Sequence, residues 1–324
     1  MNTEIDRASK PRSYPLPLRG HQAPSPSKAL RTIILIAGLA WSFTESNFLT
    51  YIIPNCIFGV IGAFAASVLT EGPRPSILEI LQRLPIIVAF NWLNTLTFDL
   101  SNQRSPESIQ EDSLNKPWRP IPSGKVTADQ ARWAMLICIP ATLAVNCLLG
   151  LWMQGLCILI LNWIYNDLKG GDKVIRNPLI SIAYGLSHTC SLKLAVGVET
   201  EISQKGIAWT AMLSGVILTT MHVQDSKDKE GDRARGRQTM VLLLGDTISR
   251  SSIAFFICCW SIICAYVWGL DMWFYMVPLV PGLIVAFRVL LKRTAREDYL
   301  TWICWCFWTV ALYLLPLLSL LHIE

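Results

Sequence analysis

Three aspartates stand three and four residues apart in the run His222-Val-Gln-Asp225-Ser-Lys-Asp228-Lys-Glu-Gly-Asp232-Arg-Ala-Arg-Gly. On an α-helix, at about 100° per residue, Asp225, Asp228 and Asp232 share one face about 60° wide. Carboxylates so crowded repel one another unless a cation lies among them. Mg2+ is the expected ion, because it is hard, takes a few carboxylates and completes its shell with water and phosphate oxygens.

A second polar stripe runs through Asn91-Trp-Leu-Asn94-Thr-Leu-Thr-Phe-Asp99-Leu-Ser-Asn102. Asn91, Asn94, Asp99 and Asn102 fall within about 140° of one another on a helix. Between this stripe and the next apolar run lie Glu107, Glu111, Asp112, Lys116 and Arg119; Lys169 and Lys173 stand in a later connection, and Lys227, Lys229 and Arg233 flank the aspartate-rich run. Carboxylates and cations gathered in this way suit a ligand that carries both Mg2+ and several phosphate charges, which arginine can bind bidentately.

The elements that carry these stripes are apolar. Of 324 residues, 52% are hydrophobic and only 16% charged, against about 25% charged in soluble domains. So much apolar mass, with 13 Trp, cannot be hidden in one soluble core of this size. The ten cysteines lie in apolar runs without a CxxC pair, so they read as small reduced hydrophobes rather than metal ligands or disulfides. The net charge of +5 comes from basic residues interleaved with apolar runs, and nucleic acid is not an expected partner. The lipid bilayer is.

A bilayer core of about 30 Å needs about 20 apolar residues per helix. Spans are expected at 46–70, 77–98, 132–152, 153–168, 178–197, 206–224, 247–270, 273–291 and 299–321, nine helices forming one catalytic domain over 46–321. Residues 29–45 read as an interfacial lead-in helix. Residues 1–28, with Pro11, Pro15, Pro17, Pro24 and Pro26, read as a disordered cytosolic tail without a cleavable signal. Nine spans place all but four of the 28 Lys and Arg on one side, the exceptions being Arg74, Arg83, Lys193 and Lys205. The loops that carry the motifs are therefore expected to face the cytosol.

With the motifs and spans in place, a resemblance becomes visible. The segment Asp112-Ser-Leu-Asn115-Lys116-Pro117-Trp118-Arg119-Pro120-Ile121-Pro122-Ser123-Gly124 resembles the D-x-x-N-K-P-x-R-P-[LI]-x-S-G signature of the UbiA superfamily of intramembrane prenyltransferases. Asp225 to Asp232 resembles its second aspartate-rich motif, and Tyr165, Lys169 and Asn177 its Tyr-x-x-x-Lys and Asn positions. The first motif departs from the usual pattern. Either Asp99 and Asp112, thirteen apart, provide its acids, or Asn91, Thr95 and Asp99 fill it with a threonine in the middle. This variant is similar to a fungal branch that includes a membrane sesquiterpene cyclase of the bergamotene synthase type.

The resemblance implies an all-α UbiA-like membrane bundle capped on the cytosolic side by motif loops, in the endoplasmic reticulum if the source is fungal. It implies that Mg2+ and an isoprenyl diphosphate meet between the two acidic motifs. Asp99, Asp112, Asp225, Asp228 and Asp232 would then serve the metals, and Asn91, Asn94, Asn102, Lys116, Asn177, Lys229 and Arg233 the substrate. Arg119, Lys169 and Tyr165 would act on the departing diphosphate. Trp92, Trp163, Tyr165, Tyr184 and Trp209 are candidate π-faces for the allylic cation, while His188 and His222 read as packing residues. The expected reaction is cyclisation of farnesyl diphosphate to a terpene; transfer of the prenyl group to an aromatic acceptor is the alternative. A transporter is the third reading, but it would spread its charges through the bilayer depth, whereas these acids cluster at helix ends.

Overall fold

The computed structural model describes residues 28–321. The tail expected over 1–28 lies outside the described residues except for Lys28, which begins α1. The fifteen helices, in chain order, are α1 (Lys28–Asn47), α2 (Ile53–Phe64), α3 (Ala66–Leu69), α4 (Ile77–Gln103), α5 (Pro106–Asn115), α6 (Ala128–Leu148), α7 (Trp152–Asn166), α8 (Arg176–Val196), α9 (Gln204–Thr220), α10 (Lys229–Arg235), α11 (Met240–Leu244), α12 (Asp246–Val267), α13 (Met276–Leu291), α14 (Ala295–Tyr313) and α15 (Leu315–Leu321). A π-helical turn, Phe48–Ile52, joins α1 to α2, and a 3-10 turn, Met221–Lys227, follows α9. No strand forms among the described residues; Thr70 and Ile202 make an isolated bridge. The chain divides into two units, 1–38 and 39–324. Of the first, only the opening turns of α1 are described, and the site is built from the second.

Seven described helical segments are long and apolar enough to cross a membrane: 30–64, 128–148, 176–196, 204–227, 246–267, 272–291 and 295–321. The other two expected spans correspond to α4 and α7. α4 is 27 residues long but carries polar side chains from Asn91 to Gln103. α7 has 15 residues, or about 22 Å, short of a full bilayer crossing. Seven of the nine expected spans thus have a counterpart that meets the length and apolarity of a crossing helix, the first of these, 30–64, taking in the expected lead-in as well, and two do not. The outer surface fits a lipid environment. Ile137, Phe255 and Phe307 are each more than 60% exposed, a contact favourable with acyl chains and a liability in water.

Local chemistry explains the ends of the site-bearing helices. α4 starts at a capping box in which Ser76 and Glu79 satisfy each other's backbone N–H groups, and α6 starts at another, Thr127 with Gln130. Pro85 sits inside α4, which bundles of this kind tolerate because neighbouring groups satisfy the freed carbonyl. α2 approaches α8 so closely that a Cβ on Gly59 would lie 2.6 Å from the Ser191 carbonyl oxygen. Small residues permit such approach where packing, rather than water exclusion, holds helices together.

Candidate active site

α4 delivers the first polar stripe, and its periodicity survives in the structure. Asp99, 1% exposed, accepts at Oδ1 a hydrogen bond of 2.7 Å from Asn47 Nδ2, while its Oδ2 is buried without a partner. Asn94 exchanges hydrogen bonds of 3.2 and 3.3 Å with Asn146 on α6, and Asn102 donates to Asn166 Oδ1 on α7 at 2.9 Å. Asn91, on the same face, stands about a turn deeper along the helix. Its amide donates to Ser191 Oγ at 2.9 Å and to its own helix, so it cross-links α4 to α8.

The segment after α4 is a helix where the sequence suggested a loop. Ser105 caps α5 and Pro106 opens it, an arrangement in which the missing proline N–H costs nothing. The turn of α5 buries Glu111 and Asp112. Arg119, 5% exposed, donates through Nη1 to both Asp112 oxygens at 2.8 and 2.9 Å, and through Nη2 to Ser46 Oγ at 2.9 Å.

The second motif departs from expectation in its backbone. Met221–Lys227 is a 3-10 turn, Asp228 leaves helical geometry at φ −103°, ψ 11°, and α10 begins only at Lys229. The single 60° face for Asp225, Asp228 and Asp232 therefore does not form. A 3-10 turn advances about 120° per residue, and the break at Asp228 then redirects the chain. Each acid instead has its own basic partner. Asp225 pairs bidentately with Arg176 on α8, both contacts 3.0 Å; Asp232 accepts from Arg237 at 2.9 Å; Asp228 pairs with Lys227.

The two motifs are docked on each other. A Cβ on Gly231 would lie 2.2 Å from Asn115 Nδ2, and the same amide donates to the Asp228 carbonyl at 3.3 Å. Arg237 reaches Glu111 on α5 at 2.7 Å as well as Asp232, and Arg235 joins Glu111 at 2.9 Å to Asp172 at 2.7 Å. The Asn-Lys-Pro segment and the glycine of the second motif are thus two halves of one contact.

Together these groups enclose a cavity of about 180 Å³. Of the expected site residues, Asn94, Asp99, Asn102, Lys116, Arg119, Tyr165 and Asp228 line it. Asp112, Asp225 and Asp232 do not, and their partners Arg119, Arg176 and Arg237 line it instead. Asn177 is buried beside Arg176 at 3.4 Å. Besides Asn91 and Asn177, three further expected ligand groups stand outside the lining. Lys169 is exposed on Glu107 at 2.6 Å, Lys229 pairs with Asp246, and Arg233 is exposed. Among the aromatic candidates Tyr165 and Tyr184 line the cavity; Trp163 is 54% exposed, the Trp92 indole donates to Thr44, and Trp209 stacks edge-on with Trp268. His188 contacts the Tyr313 hydroxyl and His222 the Ser252 hydroxyl. The sequence reading missed Arg176 and Arg237 altogether. Their only local signal is an arginine five residues past Asp232 and another one residue before Asn177.

Charge around the cavity is tightly balanced. Burial, reinforced by neighbouring Arg119, pushes the Lys116 ammonium down to about 8. Burial disfavours the Glu111 carboxylate, but Arg237 and Arg235 outweigh it and hold the group below its ordinary value; Lys227 and Lys116 do the same for Asp228. Among the described residues no three His, Cys, Asp or Glu side chains are gathered as a ready metal cage. The donor chemistry nevertheless fits Mg2+: every candidate ligand is a hard oxygen, and the buried Asp99 and Asp232 Oδ2 atoms have no hydrogen-bond partner.

Known proteins share both sequence and fold. Fumagillin β-trans-bergamotene synthase of Aspergillus fumigatus is 28% identical over 251 residues, covering 74% of this chain and 83% of that protein. A diterpene cyclase of Hericium erinaceus is 28% identical over 84% of each chain. A polyprenyl transferase of the same fungus is 31% identical over 81% of this chain and 88% of its own. A UbiA homologue from Archaeoglobus fulgidus, solved with GPP and Mg2+, superposes with a TM-score of 0.57 at 15% identity, covering 85% of this chain and 99% of that one; at that identity it shows the fold. The family model of the UbiA prenyltransferases matches residues 56–312. The chain is an integral membrane enzyme and belongs to the UbiA prenyltransferase family.

Proposed function

We propose that this enzyme ionises farnesyl diphosphate in a Mg2+-dependent step and cyclises the resulting cation to a sesquiterpene of secondary metabolism. The observation that carries this reading is one cavity in which Lys116, Arg119, Arg176, Lys227 and Arg237 adjoin the rings of Tyr51, Phe98, Tyr165, Tyr184 and Trp302. The cations stabilise negative charge as it develops on the departing diphosphate, and because they are already oriented they need no reorganisation during the reaction. Asp99 and Asp228, with Asp112, Asp225 and Asp232 behind the arginines, would hold Mg2+, which when bound adds charge neutralisation at the phosphate oxygens. After the C–O bond breaks, the aromatic walls keep water from the allylic cation and offer it π-faces. A distal double bond of the same chain then attacks, and proton loss gives the hydrocarbon.

The finer organisation belongs to the same proposal: residues 46–321 as the catalytic domain, 29–45 as an interfacial lead-in, and motif loops and N-terminus on the cytosolic face of the endoplasmic reticulum. Prenyl transfer to an acceptor is the second reading. It is favoured by the 31% identity to a polyprenyl transferase and by a second cavity of about 690 Å³ that shares Thr50, Lys116, Lys227, Asp228 and Trp302 with the first. Membranes containing the enzyme should convert the C15 diphosphate to a hydrocarbon with Mg2+ alone and lose that activity in EDTA. Product formed only after an aromatic acceptor is added would favour transfer instead.

A further inference from the structure

The cavity has a floor, and the floor stands at one depth on three helices. Along α8 the lining residues begin at Arg176 and end at Ala183 and Tyr184; the next turn, with Ser187 and His188, lies outside. From Arg176 to Tyr184 the helix rises about 12 Å. α4 gives about the same depth between Asn102 and Asn94, and α7, from Tyr165 to Ile158, about 10 Å. These residues all line the cavity.

Tyr184 is held in place from three sides. Its hydroxyl donates to the Thr50 carbonyl in the π-helical turn at 2.9 Å. Its ring meets Tyr51 edge-on with centroids 4.6 Å apart, and the Tyr51 hydroxyl is itself hydrogen-bonded to Ser187 Oγ at 2.7 Å. Behind it stand His188, with centroids 5.9 Å away, and Tyr313, which stacks edge-on against His188. The ring cannot swing aside without breaking its hydrogen bond and entering this buried packing. The second cavity is the poorer path for a hydrocarbon: Leu49, Leu114 and Trp118 line it, but so do Lys229, Glu230, Arg293 and Asp298, which would have to be desolvated against an apolar chain.

We infer that Tyr184, supported by Tyr51, sets the length of prenyl chain the enzyme accepts, by closing the cavity opposite the cationic groups. The inference rests on the reading that the cavity takes an isoprenyl diphosphate. At about 1.2 Å per bond, the spacing of an extended polypeptide, the eight-, twelve- and sixteen-carbon backbones of C10, C15 and C20 prenyl chains measure about 8, 13 and 18 Å. A depth near 12 Å matches the middle one.

The test measures kcat/KM for C10, C15 and C20 diphosphates, by pyrophosphate release, in membranes of wild type and variants normalised to inserted protein. Tyr184→Ala should raise the C20 to C15 ratio at least tenfold, and Tyr184→Phe, which keeps the ring, should leave that ratio where it is in wild type. Ala183→Leu, which adds volume to the same floor, should raise the C10 to C15 ratio at least tenfold. A purely structural role for Tyr184 would lower all three substrates together, and unchanged ratios in folded Tyr184→Ala and Ala183→Leu would overturn the inference. Should Tyr184→Ala fail to insert, Tyr184→Leu and Ala183→Leu decide it. Wild type that consumes none of the three diphosphates would overturn the isoprenyl diphosphate reading itself, and the inference with it. A prenylated acceptor in place of a hydrocarbon would leave the inference standing, since chain choice precedes the fate of the cation.

Discussion

The two acidic regions are built in opposite ways. α4 carries Asn94, Asp99 and Asn102 on one continuous capped helix, so their relative positions follow from helix geometry. The segment from Met221 to Arg235 is a 3-10 turn, a break and a two-turn helix, and its acids Asp225 and Asp232 are placed by Arg176 on α8 and by Arg237 just past α10. A regular element positions its side chains through the backbone; an irregular one borrows its geometry from charge partners. The second region should therefore fail when a partner is removed, and the first should not.

The largest expected effect comes from the second region. Asp225→Ala and Asp232→Ala should each lower turnover per inserted enzyme molecule by about a thousandfold, at the upper end of what loss of one electrostatic group costs. Retained product in both variants would remove these acids from the site. Next, breaking a buried pair by removing one partner costs about 3–5 kcal/mol, so Arg176→Met should lower the thermal midpoint of the detergent-solubilised enzyme sharply. Asn102→Ala on α4, which loses a single neutral hydrogen bond worth about 1 kcal/mol, should scarcely move it. Equal shifts in the two variants would erase the contrast between the regions.

A smaller effect is expected from pH. Lys116 lines the cavity with its ammonium depressed to about 8 by burial and Arg119. Its attraction for a diphosphate is complete below that value and is lost as pH rises through it. KM for the prenyl diphosphate should thus climb above pH 8 in wild type and stay flatter in Lys116→Arg, whose guanidinium remains charged. The smallest effect belongs to the distant end of α4. Ser76→Ala removes one half of the capping box and should cost about 1 kcal/mol without altering KM, because the backbone of α4 still sets Asp99.

How much was legible in the sequence follows the same division. The apolar run from 77 and the Asn and Asp spacing gave α4 and its polar face, because the 3.6-residue period held to the end of the helix; the Ser76 cap went unread. The angular arithmetic for Asp225, Asp228 and Asp232 failed, because it assumed a helix where the backbone tightens and breaks. Lys169 was read as a ligand group from its Tyr-x-x-x-Lys resemblance and Lys229 from its place beside the aspartates, yet Lys169 pairs with Glu107 and Lys229 with Asp246. Arg176 and Arg237 escaped notice because nothing local distinguishes them from the many basic residues at helix ends. Their role appears only when α5, α8 and α10 come together. The docking of Asn115 on Gly231 was likewise hidden, although both residues stand inside the motifs that carried the resemblance.

The π-helical turn at Phe48–Ile52 has a consequence for how sequences of this kind can vary. Such a turn holds one residue more than an α-helical turn would, and it lies between Asn47, the hydrogen-bond partner of Asp99, and α2, which is fixed against α8 through Gly59 and Ser191. Deleting a single residue there would restore a regular helix and rotate Asn47 by about 100° away from the carboxylate. Insertions and deletions in this stretch are therefore not neutral spacers: the phase of the helix, rather than any side chain within it, decides whether Asp99 keeps its amide neighbour.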